Sequence, residues 1–291
     1  MTNKILNIWV CDYSDNTGEG RLARLFIKVL KFNQTNILKF NQKKKLKYKY
    51  ISSIMGIIFC WKKYFNNEKV CYLNYLPLWN FLIFIFLPPN TILGPITGGA
   101  NFSKNNRINY LIRAFLFPIL YKISELFLNL RSKKIIFSTD LLRKNLSKIT
   151  IAKSQFNFVL KFFSLKTKKR KKNDFLIYYK KHKNKEILFP YDLVKKIIKI
   201  GFKVSIVGDR LRYLKVKNYG QISNKKVSNL QSISRYTIAS EENLYSLFTL
   251  ECLSNNVKVV INKKVKIKNF KKNFIKIDYN SKNLLKNLKK L

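Results

Sequence analysis

The chain has 291 residues, with 59 Lys+Arg against 14 Asp+Glu and a formal net charge of +45. Hydrophobic residues make up 47% and include 23 Phe, 16 Tyr and 3 Trp, which excludes a disordered polycation and leaves room for one large or two ordinary cores. The charge alone would suggest nucleic acid or an anionic membrane surface. However, 49 of the cations are Lys and Asn numbers 32; Lys, Asn, Ile, Phe and Tyr share A+T-rich codons, so drift in base composition explains these enrichments together, whereas a nucleic-acid surface explains only the Lys.

In chain order, Lys4–Cys11 (KILNIWVC) reads as a strand, followed by the loop Asp12–Gly20 (DYSDNTGEG). Arg21–Phe32 has helical spacing, with Leu22, Leu25, Phe26 and Leu30 on one side. Val70–Asn74 and Thr91–Gly94 are further strand candidates, the second ending in the turn GPITGG. Asn109–Leu130 is a long apolar helix interrupted by Pro118. Lys134–Ser138 reads as a strand, and Thr139 or Asp140 is placed to cap a helix over Leu141–Ser147. The segment 166–174 is almost purely basic and polar, and reads as an interdomain linker.

After it the alternation restarts. Strands are expected at Phe175–Tyr179, Lys203–Val207, Tyr236–Ile238 and Val257–Ile261, and helices at Phe189–Ile200, Lys225–Ser234 and Tyr245–Ser254. Asn280–Leu291 reads as an amphipathic helix with an Asn cap. Strand–helix alternation in both halves predicts an α/β chain of two Rossmann-like domains, 1–165 and 175–291, whose strand ends face each other across a cleft.

The four cysteines (Cys11, Cys60, Cys71, Cys252) form no CxxC pair, and His182 is the single histidine. Zinc, a disulfide framework and a Ser-His-Asp triad are therefore not expected, and a reducing compartment fits. No signal peptide is apparent, and the densest apolar run, Leu76–Leu87, is shorter than the ~20 residues that span a bilayer. It and Asn109–Leu130 read as core helices or as surfaces dipping into a membrane.

The second half carries a specific order of landmarks: the basic loop YYKKHKNKE (178–186), KVSIVGD (203–209), NYG (218–220) and ASEENLYSLFTLECLSNNVKVVIN (239–262). This order resembles the carboxy-terminal domain of group-1-like glycosyltransferases of the two-Rossmann GT-B architecture. The resemblance implies that Lys180 and Lys185 take the place of the family's Arg-x4-Lys pair on the donor diphosphate, that Gly208 ends the Gly-bearing strand, and that Glu251 matches the second Glu of the Glu-x7-Glu motif. The first Glu falls on Asn243, with Glu242 one residue early, so the family's retaining mechanism does not transfer. DYSDNTGEG looks like the first loop of the amino-terminal domain of that architecture.

The expected chemistry follows. Sugar transfer requires neutralising the leaving diphosphate; with no DxD motif, Lys180 and Lys185 are expected to do this in place of a metal. Glu251 is expected to accept ribose hydroxyls, and Glu242 and Asn243 sugar hydroxyls. Asp15 or Glu19 would serve as general base, and Gly18, Gly20, Gly98 and Gly99 would line the cleft. The implied protein is a metal-independent glycosyltransferase of surface polysaccharide or lipopolysaccharide synthesis. It would be cytoplasmic and peripheral on the inner membrane face, using no cofactor beyond its nucleotide-sugar, a glycan or lipid-linked acceptor and no specific nucleic acid. The rival readings are a basic nucleic-acid-binding protein and a non-catalytic scaffold with a degenerate transferase fold.

Overall fold

The computed structural model describes residues 5–39, 48–73, 76–98, 110–166, 170–181, 189–240, 243–281 and 283–291. The chain divides into two compact units, Met1–Val159 and Leu160–Leu291.

The first unit runs β1 (Leu6–Val10), α1 (Gly18–Leu30), β2 (Thr35–Lys39), α2 (Tyr48–Phe65), β3 (Lys69–Leu73), β4 (Leu76–Pro77), α3 (Phe81–Phe86), β5 (Ile92–Leu93), β6 (Ile96–Thr97), α4 (Phe117–Arg131), β7 (Ile135–Ile136), α5 (Lys148–Ala152) and β8 (Ser154–Gln155). Its main sheet has the order β2-β1-β3-β5 and every pairing is parallel. A central parallel strand is covered on both faces, so β1 is buried throughout. Its one polar residue, Asn7, is satisfied: its amide donates to Glu68 at 2.7 Å and its oxygen accepts from Asn36 at 3.2 Å. The core beside the sheet joins Trp9 and Tyr72 to Phe84, Tyr121, Leu128 and Phe137.

Two expectations are refined here. Pro118 does not break the long helix: a π-helical turn, Ile112–Leu116, leads directly into α4, whose first turn holds the proline. The wider turn accommodates the missing N–H and the ring. Leu141–Ser147 is not an α-helix. It forms a 3-10 turn at Arg143–Asn145, and the α-helix begins one step later at Lys148, capped by Ser147, whose hydroxyl accepts from the Thr150 N–H at 3.3 Å. Glu125 of α4 takes the Ser147 N–H at 2.6 Å, which fixes where that helix starts.

The second unit runs β9 (Asn173–Tyr179), α6 (Tyr191–Lys199), β10 (Val204–Gly208), β11 (Lys217–Gly220), α7 (Asn224–Ile233), β12 (Ser234–Ile238), α8 (Leu247–Ser254), β13 (Lys258–Asn262), β14 (Phe274–Ile277) and α9 (Leu284–Lys289). One six-stranded parallel sheet has the order β11-β10-β9-β12-β13-β14. Numbered from β9, this is 3-2-1-4-5-6, the Rossmann order. α6 buries Leu193, Val194 and Ile197, and α9 closes the same core with Leu284 and Leu288.

The division between the units precedes the basic stretch 166–174, whose described residues are held by the second unit. Lys166 N–H donates to Ser254 at 2.8 Å and Lys172 N–H to Ile233 at 2.8 Å. The Lys171 ammonium reaches the carbonyls of Ser232 at 3.1 Å and Asn255 at 2.9 Å, the carboxyl ends of α7 and α8, where a cation is favoured.

Two acids of the first unit carry a pH prediction. The Lys63 ammonium at 2.9 Å, with Asn7, holds Glu68 below the usual carboxylate range. Burial opposes ionisation of Glu125, but Lys122 at 2.8 Å and the Ser147 N–H outweigh it, and its pKa also falls. A carboxyl with a depressed native pKa stabilises the fold above its unfolded value of about 4.3, and that stability is lost as pH falls through the native value. Thermal unfolding followed by circular dichroism should therefore show a falling midpoint between neutral and acid pH. Glu125→Gln should begin roughly 1–3 kcal/mol less stable near neutrality and fall less steeply.

Candidate functional site

In an open parallel sheet, crossovers leave in opposite directions from the two strands where the order reverses, opening a crevice beyond their carboxyl ends. In the second unit those strands are β9 and β12.

The β9 end is fixed by its neighbour. Gly208 has φ +102°, and a Cβ there would stand 2.3 Å from the Tyr179 carbonyl oxygen, so only glycine lets β10 lie this close. The next residue completes the joint. Asp209 N–H donates to the Tyr179 carbonyl at 2.9 Å, while its carboxylate accepts the Lys181 N–H at 2.8 Å and the Gln221 amide at 3.2 Å. The chain carrying Lys180 and Lys181 is thereby held by backbone contacts at the switch point, and both lysines are exposed. Lys185 and His182 lie outside the described residues.

On the β12 side, the half-buried Asn243 accepts the Ser246 N–H at 3.2 Å through its carbonyl. Ser246 caps α8, its hydroxyl accepting from Thr249 N–H at 3.2 Å. Tyr178 near the end of β9 and Phe248 in the first turn of α8 bring their rings to 5.6 Å. Glu251 lies five residues into the helix from its cap, roughly 7 Å along the axis. Its carboxylate is 3.4 Å from the amide of the fully buried Gln231 on α7. Glu242 lies outside the described residues. The fold thus brings Lys180, Gly208 and Asn243 to the carboxyl edge of one sheet, with Glu251 farther along α8. Gln221 and Ser246 were not singled out in the sequence; a Ser immediately ahead of the largely apolar run Leu247–Leu253 is the capping signal that marks the second.

The first unit has its own reversal, between β1 and β3. Beyond these strands a small cavity is lined by Cys11, Asp12, Glu19, Leu73, Pro95 and Thr97. The loop before α1 folds on itself: Asp12 accepts the Ser14 N–H at 2.9 Å and Thr17 caps α1 by accepting from Gly20 N–H at 3.1 Å. Asp15 pairs with Arg24 at 2.8 Å, and that guanidinium also donates to the Tyr13 carbonyl and lies 4.1 Å from its ring centre. Glu19 stands in the first turn of α1, where a carboxylate is favoured.

The glycines differ in role. A Cβ on Gly20 would meet the Ser14 backbone at 2.3 Å, whereas Gly18 has nothing within 4 Å. Gly98 packs against the buried Leu142 side chain, and Gly99 lies outside the described residues. Among the described residues, no three His, Cys, Asp or Glu side chains gather where they could hold a metal ion.

These contacts predict a graded response to alanine. Gly20→Ala and Gly208→Ala should each cost on the order of 1–3 kcal/mol in denaturant unfolding, and Gly18→Ala should cost about nothing. Equal losses at positions 18 and 20 would contradict the close-approach explanation.

No protein-family model and no curated protein matches the chain. Solved structures do. A glycosyltransferase from Rickettsia africae is similar at a TM-score of 0.54 and 13% identity, over 98% of this chain and 86% of that one. HepE of Anabaena, in complex with UDP and glucose, is similar at a TM-score of 0.50 and 9% identity, over 89% and 81%. The two Rossmann-like units in tandem are those of the GT-B glycosyltransferase fold.

Proposed function

We propose that the protein is a glycosyltransferase that moves a sugar from a nucleotide-sugar to a glycan or lipid-linked acceptor in surface polysaccharide or lipopolysaccharide synthesis, without a metal ion. The observation that carries this reading is the switch point of the second unit, where a basic loop is anchored at the carboxyl edge of a Rossmann-ordered sheet. HepE, similar in fold, is in complex with UDP and glucose, which supports a donor of that class.

In this reading Lys180 and Lys185 neutralise the diphosphate as it leaves, a task that fixed cations perform most strongly where water is excluded. The Asp209 joint fixes the backbone at Lys181, so less entropy is lost there when the donor binds. The Tyr178–Phe248 pair offers an apolar surface for the base. Glu242 and Asn243 take sugar hydroxyls, and Glu251 takes the ribose once Gln231 gives up its contact. Glu19 is preferred over Asp15 as general base, because it lines the first unit's cavity while Asp15 is engaged by Arg24. The donor is a cytoplasmic metabolite class, so the proposed place of action is the cytoplasmic side.

Thermal-shift titration with a panel of nucleotide sugars tests this. Stabilisation by at least one donor should persist in a chelator. Lys180→Ala should weaken its affinity by about tenfold, or ~1.4 kcal/mol, and Glu19→Gln should abolish transfer while leaving donor affinity intact. Unchanged affinity in the Lys180 and Lys185 alanine variants would reject the site. Donor-independent, salt-sensitive binding of DNA alone would favour the nucleic-acid reading.

A further inference from the structure

The solvent sides of α2, α3 and α4 in the first unit are apolar. α2 buries Ser52, Gly56 and Cys60 on one face, yet its opposite face carries Ile51, Ile54, Met55, Ile58 and Phe65 at helical spacing, all exposed, with Lys62 the charge among them. The outward stripe of α4 and the π turn before it is Phe115, Ile119, Leu126 and Leu130, interrupted only by Lys122. Phe115 is 68% exposed and Leu130 74%. α3 joins the two helices. Trp61 of α2 donates to the Phe86 carbonyl at 2.7 Å, and Arg131 of α4 donates to the carbonyls of Phe84, Leu87 and Pro88. α3 adds the exposed Leu82, Ile85 and Phe86. A helix apolar on both faces has a second apolar neighbour, and patches of this extent mark a docking surface.

The charges identify that neighbour. α2 and α3 contain no acid, and the one acid of α4, Glu125, is buried and paired with Lys122. The exposed charges at the helix ends are cationic: Lys62 on α2, and Lys133 and Lys134 just beyond α4. Trp61, Tyr64 and Phe65 cluster at the end of α2, with ring centres 5.3–6.2 Å apart, the aromatic type favoured at a headgroup boundary. A second copy of this chain would bring +45 against +45, which opposes pairing through this face. No helix among the described residues is long and apolar enough to cross a membrane.

We propose that the outer faces of α2, α3 and α4 form one surface that lies on an anionic lipid bilayer, with the apolar stripes in the headgroup–acyl boundary and the lysines against lipid phosphates. The proposal does not depend on the sugar-transfer reading.

Co-sedimentation of the full chain with vesicles tests it. The chain should bind vesicles containing about one-third phosphatidylglycerol more strongly than pure phosphatidylcholine, and should keep part of that binding in high salt, because apolar insertion is not screened. The triple variant Phe115→Ser, Ile119→Ser, Leu126→Ser should lose about tenfold or more in partitioning. Phe65→Ser, at a 73% exposed position, should lose less. Tyr213→Ser, 89% exposed in the second unit, should change nothing. Wild-type partitioning by the triple variant would overturn the proposal. So would complete release of the wild type in high salt, or a wild-type dimer, broken by the triple variant, that binds no vesicles.

Discussion

Parallel strand pairing is the constraint from which the rest of this molecule follows. Each strand must return to the same end of the sheet, so each connection is a crossover that covers a face, and both faces become buried. The strands can then be largely apolar, as β1 is throughout but for Asn7 and as β13 is over its buried residues Val259–Ile261. Polar groups that must meet a ligand are left to the loops at the strand ends. Where the order reverses, between β9 and β12 and again between β1 and β3, those loops part and leave a crevice. The fold thereby decides where chemistry can occur before any particular side chain is considered.

The crevice of the second unit is shaped by a joint between the backbone of β9 and the Gly208–Asp209 turn, closed by the Asp209 carboxylate. Gly208 and Asp209 clasp the end of β9 through the Tyr179 carbonyl and the Lys181 N–H. In a chain with 49 lysines, a basic loop means little by its composition. It gains meaning by being anchored at an edge where a phosphate could be held. The surplus positive charge, whatever its origin in base composition, still acts physically: it favours anionic ligands and surfaces at both the strand ends and the apolar helices.

Much of the second unit was legible in the sequence because its signals are local and of high contrast. VSIVG and VVI are short apolar runs ended by Gly or Asn, and the amphipathic α6 and α9 show their buried Leu, Val and Ile at helical spacing. Alternation implied parallel sheets and Rossmann-like units, while the strand order itself is a tertiary fact. The first unit was less legible. α2 went unassigned because apolar residues occupy both its faces, so its spacing has no contrast, and β2, half exposed at a sheet edge, reads like a loop. The 3-10 turn at Arg143–Asn145 was hidden because its helix start is set by Glu125, 22 residues away. Of the candidate site, Gly208, Lys180 and Lys185 were singled out through the resemblance of their order to the glycosyltransferase pattern, and Lys185 lies outside the described residues. That Glu251 meets Gln231, and that Gly20 is required by the Ser14 backbone, are tertiary facts with no local signal.

The central claim is that a nucleotide diphosphate sits at the β9–β12 switch point. Hydrogen–deuterium exchange of the full chain, with and without UDP or ADP as probe, tests it most directly. The account predicts slowed exchange at 178–181, 208–210 and 239–246, where ligand contacts would suppress local opening. Protection confined to the first unit, or a bound nucleotide that leaves these three segments unchanged, would contradict it.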